Sequence, residues 1–422
     1  MILTYGGTQT MGDFIQTGIL PIDKHLGGLR KHSFVLVEHE PEVEGEYLSI
    51  QVARNVIENS IVIVVLTSMI PTKFKEKIIN IQTSEETSRA KLKEAIDNNL
   101  IIIDGYSALV GAERTEGTFY VENPSDINSW IEQINNALKE AESRNSLENT
   151  FIVIPYFSVI IDISDEKSGI DLMKYLREVS SKVFSVIIAI GKWPYTEKFW
   201  EKVRSLGFDV IIEVSRYIYK LREYRYFRIK YCSWRDSRKI SQSKYLFRVE
   251  IPGPGFTVYI PKVVITGPYN SGKSTFVSTI SKSSVSVDFM GTTVALDFGI
   301  LSIGGISAHV FGTPGQERFD EILSYLAKEA LGVILIVDST RPETFERARE
   351  MLEKLYLKDV PIVVAANKQD LEGALPPEKV RELLKLPRGI PVVPTVAYDR
   401  NSVFRVFEKL YEIISQSSGG YP

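Results

Sequence analysis

The sequence is poor in cysteine and in long apolar runs. Of its 422 residues only Cys232 is a cysteine, which excludes an internal disulfide framework and indicates a reducing compartment. Its longest apolar runs, such as Ile61–Leu66 and Val183–Ile190, have the length of buried strands and are too short to cross a bilayer. The N-terminus lacks a signal-peptide pattern, and no lipidation motif is present. We therefore expect a cytoplasmic protein without a membrane anchor.

The chain also lacks an excess of charge of either sign. Its 50 lysines and arginines and 53 aspartates and glutamates give a formal net charge of −3. Such a balance provides no global attraction for nucleic acid or for acidic membranes. Hydrophobic residues make up 44% of the chain, enough for an ordinary buried core in each of two or three domains.

A glycine-rich stretch, 267–275, follows the apolar run Val263–Thr266 and opens a helical pattern. It has both glycines, the lysine and the hydroxyl at the spacing of a phosphate loop. Backbone N–H groups in such a loop bind phosphate, helped by the helix N-terminus. Lys273 can then reach the β- and γ-phosphates, and Ser274 can ligate Mg²⁺. The predicted nucleotide-contacting residues of this loop are Tyr269, Asn270, Ser271, Gly272, Lys273, Ser274 and Thr275.

The first part of the chain, about 14–258, alternates short Ile/Val runs with amphipathic stretches such as 127–141. This alternation predicts an α/β fold in which a mostly parallel sheet has helices on both faces. The apolar runs are Phe34–Val37, Ile61–Leu66, Leu100–Ile103, Phe151–Ile154, Val183–Ile190 and Val210–Val214.

Three stretches of this region, Thr17–Asp23, Leu26–Gly28 and Ile101–Asp104, resemble KaiC-like or RecA-like ATPase domains. The sequence departs from that family at the phosphate loop, because the lysine position holds Gly45 and the hydroxyl position holds Glu46. The glutamates around this loop would repel a triphosphate. We therefore expect a pseudo-ATPase domain, in which Asp104 is a structural carboxylate at a strand end and not a metal ligand. The glutamates are Glu38, Glu40, Glu42, Glu44 and Glu46.

This acidic loop has two interpretations. It is either a solvated turn, which we favour, or a docking surface for a basic partner or for the chain's own basic segment. That segment, 216–239, interleaves basic residues with aromatic ones, a composition that could follow single-stranded nucleic acid. Its stretch Tyr224–Tyr231 is strand-like, and the resemblance places a late antiparallel hairpin here that returns through Tyr245–Ile251. We favour the hairpin over a nucleic-acid site.

The remainder of the chain, from Lys262 onward, resembles the Ras-like small GTPases. Its most specific element after the phosphate loop is Asn-Lys-Gln-Asp at 367–370. The resemblance implies that Asp370 accepts two hydrogen bonds from guanine, which adenine cannot donate. It also implies that Asn367 faces the other purine edge and that the stem of Lys368 packs on the base. A Thr-Val-Ala turn at 395–397 resembles the last base-contacting turn, with Val396 and Ala397 beside the base.

Two further stretches resemble the switch regions. Switch I is expected at Asp288–Phe298, as a loop that becomes ordered only with GTP. Thr293 is its nucleotide-sensing, Mg²⁺-binding threonine, and Thr292 is the competing assignment. Switch II is expected at 312–319, Gly-Thr-Pro-Gly-Gln-Glu-Arg-Phe. The resemblance implies that Gln316 orients the attacking water and that the N–H of Gly315 meets the γ-phosphate. Gln316, Lys273 and Thr293 are the predicted catalytic residues.

The sequence departs from the small-GTPase pattern at two positions. Gly312 stands where the family has an aspartate that holds Mg²⁺ through water, and Asp297 on the neighbouring strand either supplies that carboxylate or has a structural role at the strand edge. Tyr269 places a bulky ring in the phosphate loop. Arg318 and Arg341 could act as built-in arginine fingers, although a solvated or helix-pairing role is favoured for each. We therefore expect slow intrinsic hydrolysis that depends on an activator.

Taken together, these patterns predict two P-loop-NTPase-type α/β domains, each a mostly parallel sheet flanked by helices. Residues 1–258 form the pseudo-ATPase domain, and residues 259–422 form a small GTPase domain that most resembles prokaryotic members with a Thr-Pro-Gly-Gln-Glu switch. The expected function is a GTP/GDP- and Mg²⁺-binding switch. Its expected partners are a regulator of the roadblock or longin type and a second copy bound through the first domain. The alternatives are a non-hydrolysing guanine-nucleotide scaffold and, least favoured, a RecA relative that acts with nucleic acid.

Overall fold

The computed structural model describes residues 10–416 apart from positions 12, 82–85, 145–146, 220–221, 281–282, 290–291, 304–305, 314, 316–319, 328–329 and 357–359. The chain divides into two units. The first comprises Met1–Arg216 and Arg225–Tyr259, and the second comprises Tyr217–Tyr224 and Ile260–Pro422. Within the described ranges, no helix has both the length and the apolar character that a bilayer span requires.

The first sheet system and its helices occupy the chain up to residue 258. The strands are β1 (Thr10–Met11), β2 (Phe14–Ile15), β3 (Leu29–Arg30), β4 (Ser33–His39), β5 (Ile61–Leu66), β6 (Leu100–Asp104), β7 (Phe119–Tyr120), β8 (Thr150–Ile154), β9 (Ser185–Gly191), β10 (Val210–Tyr219), β11 (Arg222–Cys232), β12 (Tyr245–Glu250) and β13 (Gly255–Val258). The helices are α1 (Leu20–Leu26), α2 (Glu46–Val56), α3 (Pro71–Ile79), α4 (Glu86–Asn99), α5 (Tyr106–Val110), α6 (Ile127–Ser143), α7 (Phe157–Ile163), α8 (Glu166–Ser180), α9 (Glu197–Arg204) and α10 (Ser237–Ile240).

The large sheet of this unit has the strand order β13-β12-β11-β10-β4-β9-β8-β5-β6-β7 among the described residues. Pairing is parallel from β10 through β7 and antiparallel between β11, β12 and β13. In β4, Val35 and Val37 face one core whereas Phe34 and Leu36 face the other. Both faces are therefore covered, which is why these strands are continuous apolar runs. The predicted return of the hairpin through Tyr245–Ile251 is confirmed by the antiparallel pairing of β11 with β12.

The second unit is built around a separate sheet. Its strands are β14 (Lys262–Thr266), β15 (Ser283–Phe289), β16 (Thr292–Ile303), β17 (Ile306–Gly312), β18 (Ala330–Asp338), β19 (Ile362–Asn367) and β20 (Val392–Pro394). Its helices are α11 (Lys273–Ile280), α12 (Asp320–Ala327), α13 (Phe345–Tyr356), α14 (Pro377–Leu383) and α15 (Arg400–Gln416).

In the described part of this unit the strand order is β15-β16-β17-β14-β18-β19-β20. Strands β17, β14, β18, β19 and β20 run parallel, and β15, β16 and β17 pair antiparallel. The carboxyl ends of the parallel strands meet at one edge, where ligands of such sheets bind. The predicted fold class, α/β with mostly parallel sheets flanked by helices, is confirmed for both units.

The stretch expected to form a switch I loop has a different structure. Thr292–Phe298 lies within β16, and β15, which the sequence did not predict, pairs with it in antiparallel register. Thr293 stands opposite Asp288. The prediction of a loop was wrong because the run is rich in residues that favour strands, namely the β-branched Thr292, Thr293 and Val294 and the aromatic Phe298, and Leu296 is buried.

Candidate functional site

Residues 267–272 join β14 to α11, and the helix begins at Lys273, within the predicted phosphate-loop stretch. Gly267 and Gly272 have φ angles of 149° and 100°, which favour glycine. A Cβ on Gly272 would lie 2.2 Å from Nδ2 of Asn367, and one on Gly267 would lie 2.0 Å from the backbone oxygen of Ile336. The two glycines therefore let the loop pack directly on the ends of β18 and β19.

Lys273 is 9% exposed, and its Nζ donates hydrogen bonds to the backbone oxygens of Gly267, at 2.9 Å, and Pro268, at 2.7 Å. Burial lowers the pKa of Lys273 to about 8, although the negative charge of Asp297 opposes this shift. The Ser271 hydroxyl is also buried and has no hydrogen-bond partner among the described residues. A buried ammonium held only by carbonyls, next to an unsatisfied hydroxyl, is suited to an anionic ligand.

The remaining predicted residues of the loop are open to solvent. Tyr269 is 65% exposed, and Asn270 is exposed with a φ of 62°. Ser274 and Thr275 are exposed on the first turn of α11. The loop therefore has a buried floor and an accessible rim, which a bound polyphosphate requires.

Asn367, at the end of β19, joins three separate segments. Its side chain is buried, and its Nδ2 donates to the backbone oxygen of Ser271 at 2.8 Å. Its Oδ1 accepts from the backbone N–H of Ala397 at 2.9 Å. The neighbouring N–H of Val396 donates to the Ser402 hydroxyl at 2.9 Å. One amide thus connects the phosphate loop to the two stretches predicted to contact the base.

The next two predicted base-reading residues are also held by side chains. Nζ of Lys368 lies 2.6 Å from Oδ2 of Asp338 at the end of β18. Burial would raise the pKa of Asp338, but hydrogen bonds from Lys368 and Thr340 outweigh it and hold that pKa below its ordinary value. Asp370 is exposed, and its Oδ2 accepts a hydrogen bond from the hydroxyl of Tyr398 at 2.7 Å.

Tyr398 was missed by the sequence reasoning. It is 67% exposed, and its hydrogen bond to Asp370 raises its pKa. The available signal was an aromatic residue directly after the Thr-Val-Ala turn, at the rim of the predicted base pocket. Its hydroxyl fixes one oxygen of the carboxylate that is predicted to read guanine.

Gly315, a described residue of the predicted switch II, lies close to the phosphate loop. A Cβ on Gly315 would be 2.7 Å from backbone atoms of that loop, so only glycine can occupy this position. Gln316 and Arg318 lie outside the described residues. Arg341 donates from Nε to Glu343 at 2.8 Å, so it is engaged by an acidic neighbour on its own turn.

Residues 260–414 match the family model of the ADP-ribosylation factor family. The chain is 30% identical over 161 residues to the Ras-related protein RABA4b of Arabidopsis thaliana, an alignment that covers 36% of this chain and 71% of that protein. The chain belongs to the Ras-related small GTPases. It is also 32% identical over 110 residues to an uncharacterised protein of Methanocaldococcus jannaschii, covering 26% of this chain and 71% of that protein.

Two solved structures are similar to parts of this small GTPase chain. A KaiC-like protein of Pyrococcus horikoshii OT3 is 13% identical with a TM-score of 0.43, covering 60% of this chain and all of that chain. The small GTPase Arl6 of Trypanosoma brucei, solved with the bound nucleotide analogue GppNp, is 23% identical with a TM-score of 0.32. It covers 38% of this chain and all of that chain.

The acidic loop of the first unit binds the chain's own basic segment. Glu38 is fully buried and lies 2.5 Å from Nζ of Lys230 and 3.3 Å from Arg204. Glu213, which stands opposite Glu38 in the parallel register of β10 and β4, lies 2.6 Å from Nζ of Lys192 and also pairs with Arg228. Two glutamates side by side repel each other, and these interleaved cations compensate for that repulsion.

The ion pairs continue beyond the strands. Glu42 lies 3.4 Å from Arg216, and Glu44 pairs with Arg225. The side chain of Glu42 remains 80% exposed, so the tip of this loop is a solvated turn, as favoured. The alternative, docking of the chain's own basic segment, is also observed, because Glu38 pairs with Lys230 and Glu44 with Arg225. Glu40 adds a hydrogen bond, accepting from the hydroxyl of Ser215 at 2.5 Å.

Gly45, which was predicted to stand at the lysine position of an ATPase loop, is closely packed. A Cβ on Gly45 would lie 2.4 Å from the Cβ of His39 and 3.1 Å from that of Val214. Asp104 ends β6 and is fully buried, and its Oδ1 accepts from the backbone N–H of Ser107 at 3.0 Å. That contact is compatible with a structural role, but Oδ2 of Asp104 is buried with no hydrogen-bond partner among the described residues, so the structural role stays a prediction.

Proposed function

We propose that this small GTPase is a Mg²⁺-dependent GTP-binding switch that hydrolyses GTP slowly. The observation that carries the proposal is the pair of hydrogen bonds made by the Asn367 amide. They join the phosphate loop at Ser271 to the turn at Ala397, which supports one nucleotide site that would also use Lys273, Ser274 and Asp370. Asp370 accepts hydrogen bonds from the ring N–H and the exocyclic amine of guanine in a charge-assisted, bidentate arrangement. Adenine has neither donor at those positions, so GTP is favoured over ATP.

The residues of the site fit a polyphosphate with its metal ion. The cradle walled by Gly267 and Gly272, the buried Lys273 and the unsatisfied Ser271 hydroxyl support this assignment. Ser274 and Thr293 are the proposed Mg²⁺ ligands. Mg²⁺ held by these residues would supply positive charge against the phosphates.

For the reaction itself, three residues have proposed roles. The ammonium of Lys273 would neutralise the phosphates, and the N–H of Gly315 would donate to the γ-phosphate. Gln316 orients the attacking water. Hydrolysis is slow because Tyr269 narrows the approach of an arginine finger and because Gly312 leaves support of the metal ion to a carboxylate of another strand. A protein activator, of the roadblock or longin type, would position Gln316.

The first unit does not bind ATP in the usual way under this proposal. Its glutamates occupy the edge where a triphosphate would bind, and Gly45 leaves no room for a lysine side chain. Its cations Arg204, Lys230 and Arg228 are paired with carboxylates of the same chain, which argues against a nucleic-acid role. The unit is instead a scaffold, an effector surface or a platform for association with a second copy.

The decisive experiment is single-turnover phosphate release by the full-length protein, with GTP, with ATP and with GTP in the absence of Mg²⁺. Mg²⁺-dependent release from GTP alone supports the switch. Tight guanine-nucleotide binding without release would instead support a structural scaffold, the alternative that Gly312 and Tyr269 favour. Release from ATP would contradict the assignment of the first unit. The variant Lys273→Ala should lose nucleotide binding, whereas the exposed control Lys409→Ala in the same unit should retain it.

A further inference from the structure

The side chain of Asp297 fills the space beside Gly312, where a side chain at 312 would lie. Gly312 ends β17, and Asp297 of β16 stands directly opposite it in the antiparallel register. A Cβ on Gly312 would lie 2.9 Å from the Cβ of Asp297 and 3.3 Å from its Oδ2. A side chain at 312 and the side chain of Asp297 would therefore compete for the same volume.

The same position lies beside the helix that follows the phosphate loop. A Cβ on Gly312 would also lie 3.2 Å from Cγ2 of Val277 in α11, the helix that begins with Lys273 and Ser274. The negative charge of Asp297 acts on Lys273, raising its pKa against the effect of burial. The carboxylate is thus electrostatically coupled to the lysine that is proposed to hold the phosphates.

Two further carboxylates at this edge, Asp338 and Asp370, are engaged elsewhere, Asp370 by the hydroxyl of Tyr398. Asp338 is held by Lys368 at 2.6 Å and by the hydroxyl of Thr340 at 2.6 Å. Asp297, by contrast, is only partly buried, and its carboxylate oxygen Oδ2 lies against the end of β17. It therefore combines proximity to the phosphate loop with access to a hydrated ion.

We propose that Asp297 replaces the absent aspartate at 312 and supports the Mg²⁺ of the bound nucleotide from the neighbouring strand. The proposal rests on the proposed function as a Mg²⁺-dependent GTPase. Glycine at 312 and aspartate at 297 then depend on each other. Asp297 supplies the carboxylate from the opposite strand, and position 312 must lack a side chain to leave room for it. Asp297 acts through the hydrated ion, as a positioning residue.

The test is the release of a fluorescent GDP analogue from the full-length protein as a function of Mg²⁺ concentration. Three proteins are compared: the wild type, Asp297→Asn, and the transposed double variant Asp297→Gly with Gly312→Asp. In the wild type, Mg²⁺ should slow release. Asp297→Asn should raise the Mg²⁺ concentration at half-effect by at least about tenfold, as expected for loss of an outer-shell carboxylate. It should not speed release in the absence of Mg²⁺, because removing a negative charge beside Lys273 takes away no contact to the phosphates. In the transposed variant, the Mg²⁺ concentration at half-effect should return to within about threefold of the wild-type value.

Each outcome separates this proposal from its alternatives. An Asp297→Asn protein with the wild-type half-effect concentration overturns the role of Asp297 while leaving the GTPase assignment intact. A faster Mg²⁺-free release with an unchanged half-effect indicates a structural role at the strand edge and also overturns it. A wild type whose release ignores Mg²⁺ contradicts the proposed function as well. The control Glu350→Gln, an exposed carboxylate of α13, should behave as the wild type.

Discussion

Replacing Glu213 by glutamine should destabilise the first unit in a pH-dependent way. Glu213 is 7% exposed and is paired with Lys192 and Arg228. Burial alone would raise its pKa, but the hydrogen bonds and charges of these two cations lower it from 4.5 to about 2. A carboxylate that is more acidic in the folded state stabilises that state wherever it is ionised.

The magnitude follows from the shift. A change from 4.5 to about 2 corresponds to about 3 kcal/mol of unfolding free energy near neutral pH. Because the folded pKa is depressed, this stabilisation is fully present above pH 4.5 and is lost as the pH falls towards about 2. At about pH 3.5 roughly 2 kcal/mol should remain. Mutations that remove one partner of a buried ion pair typically lower the unfolding free energy by about 3–5 kcal/mol, which agrees with this value.

The assay is urea unfolding followed by tryptophan fluorescence. All four tryptophans belong to the first unit, so the signal reports that unit in the intact chain. The difference between wild type and Glu213→Gln should be about 3 kcal/mol near pH 7 and should shrink by about 1 kcal/mol at about pH 3.5. The half-exposed Glu250→Gln control, whose partner is Arg248, should change stability by less than about 0.5 kcal/mol. A Glu213 effect as small as the control, or one that grows on acidification, would refute the reasoning.

Three further predictions concern the nucleotide site. Gln316→Ala should leave GDP affinity intact and slow single-turnover GTP hydrolysis, and an unaltered rate would remove Gln316 from the reaction. Tyr398→Phe removes the hydrogen bond that fixes Asp370, so GDP affinity measured by titration should fall about three- to tenfold with the ATP affinity unaffected; equal affinity would show that Asp370 needs no such support. Lys273→Ala should abolish binding of GDP and GTP in the same titration, and retained affinity would contradict the phosphate-loop assignment.

Local patterns predicted much of the fold and the core of the site. The strand–glycine loop–helix sequence placed Lys273 at the start of a helix, and the continuous apolar run Phe34–Val37 placed a doubly covered strand at the centre of the first sheet. The position of Asp297 on the strand next to Gly312 was also anticipated and is confirmed by their register. Each of these features depends on residues close in sequence or on a motif with fixed spacing.

Contacts between distant residues were harder to predict. Glu38 and Lys230 are 192 positions apart, and only the hairpin that carries Lys230 beside β4 makes them partners. Composition showed an acidic loop and a basic segment but could not pair them. The hydrogen bond from Tyr398 to Asp370 likewise depends on how two loops meet. The strand Ser283–Phe289 was missed because it pairs with Thr292–Phe298, and that stretch was expected to be a loop.

The packing around Gly45 and the ion pairs of Glu38 limit how this part of the first unit can change. A lysine at 45 would clash with His39, so it requires a change there first. Losing Glu38 alone would leave Lys230 and Arg204 near each other without the carboxylate between them. Substitutions at either position alone are therefore costly, and the two positions are expected to vary only together with their neighbours.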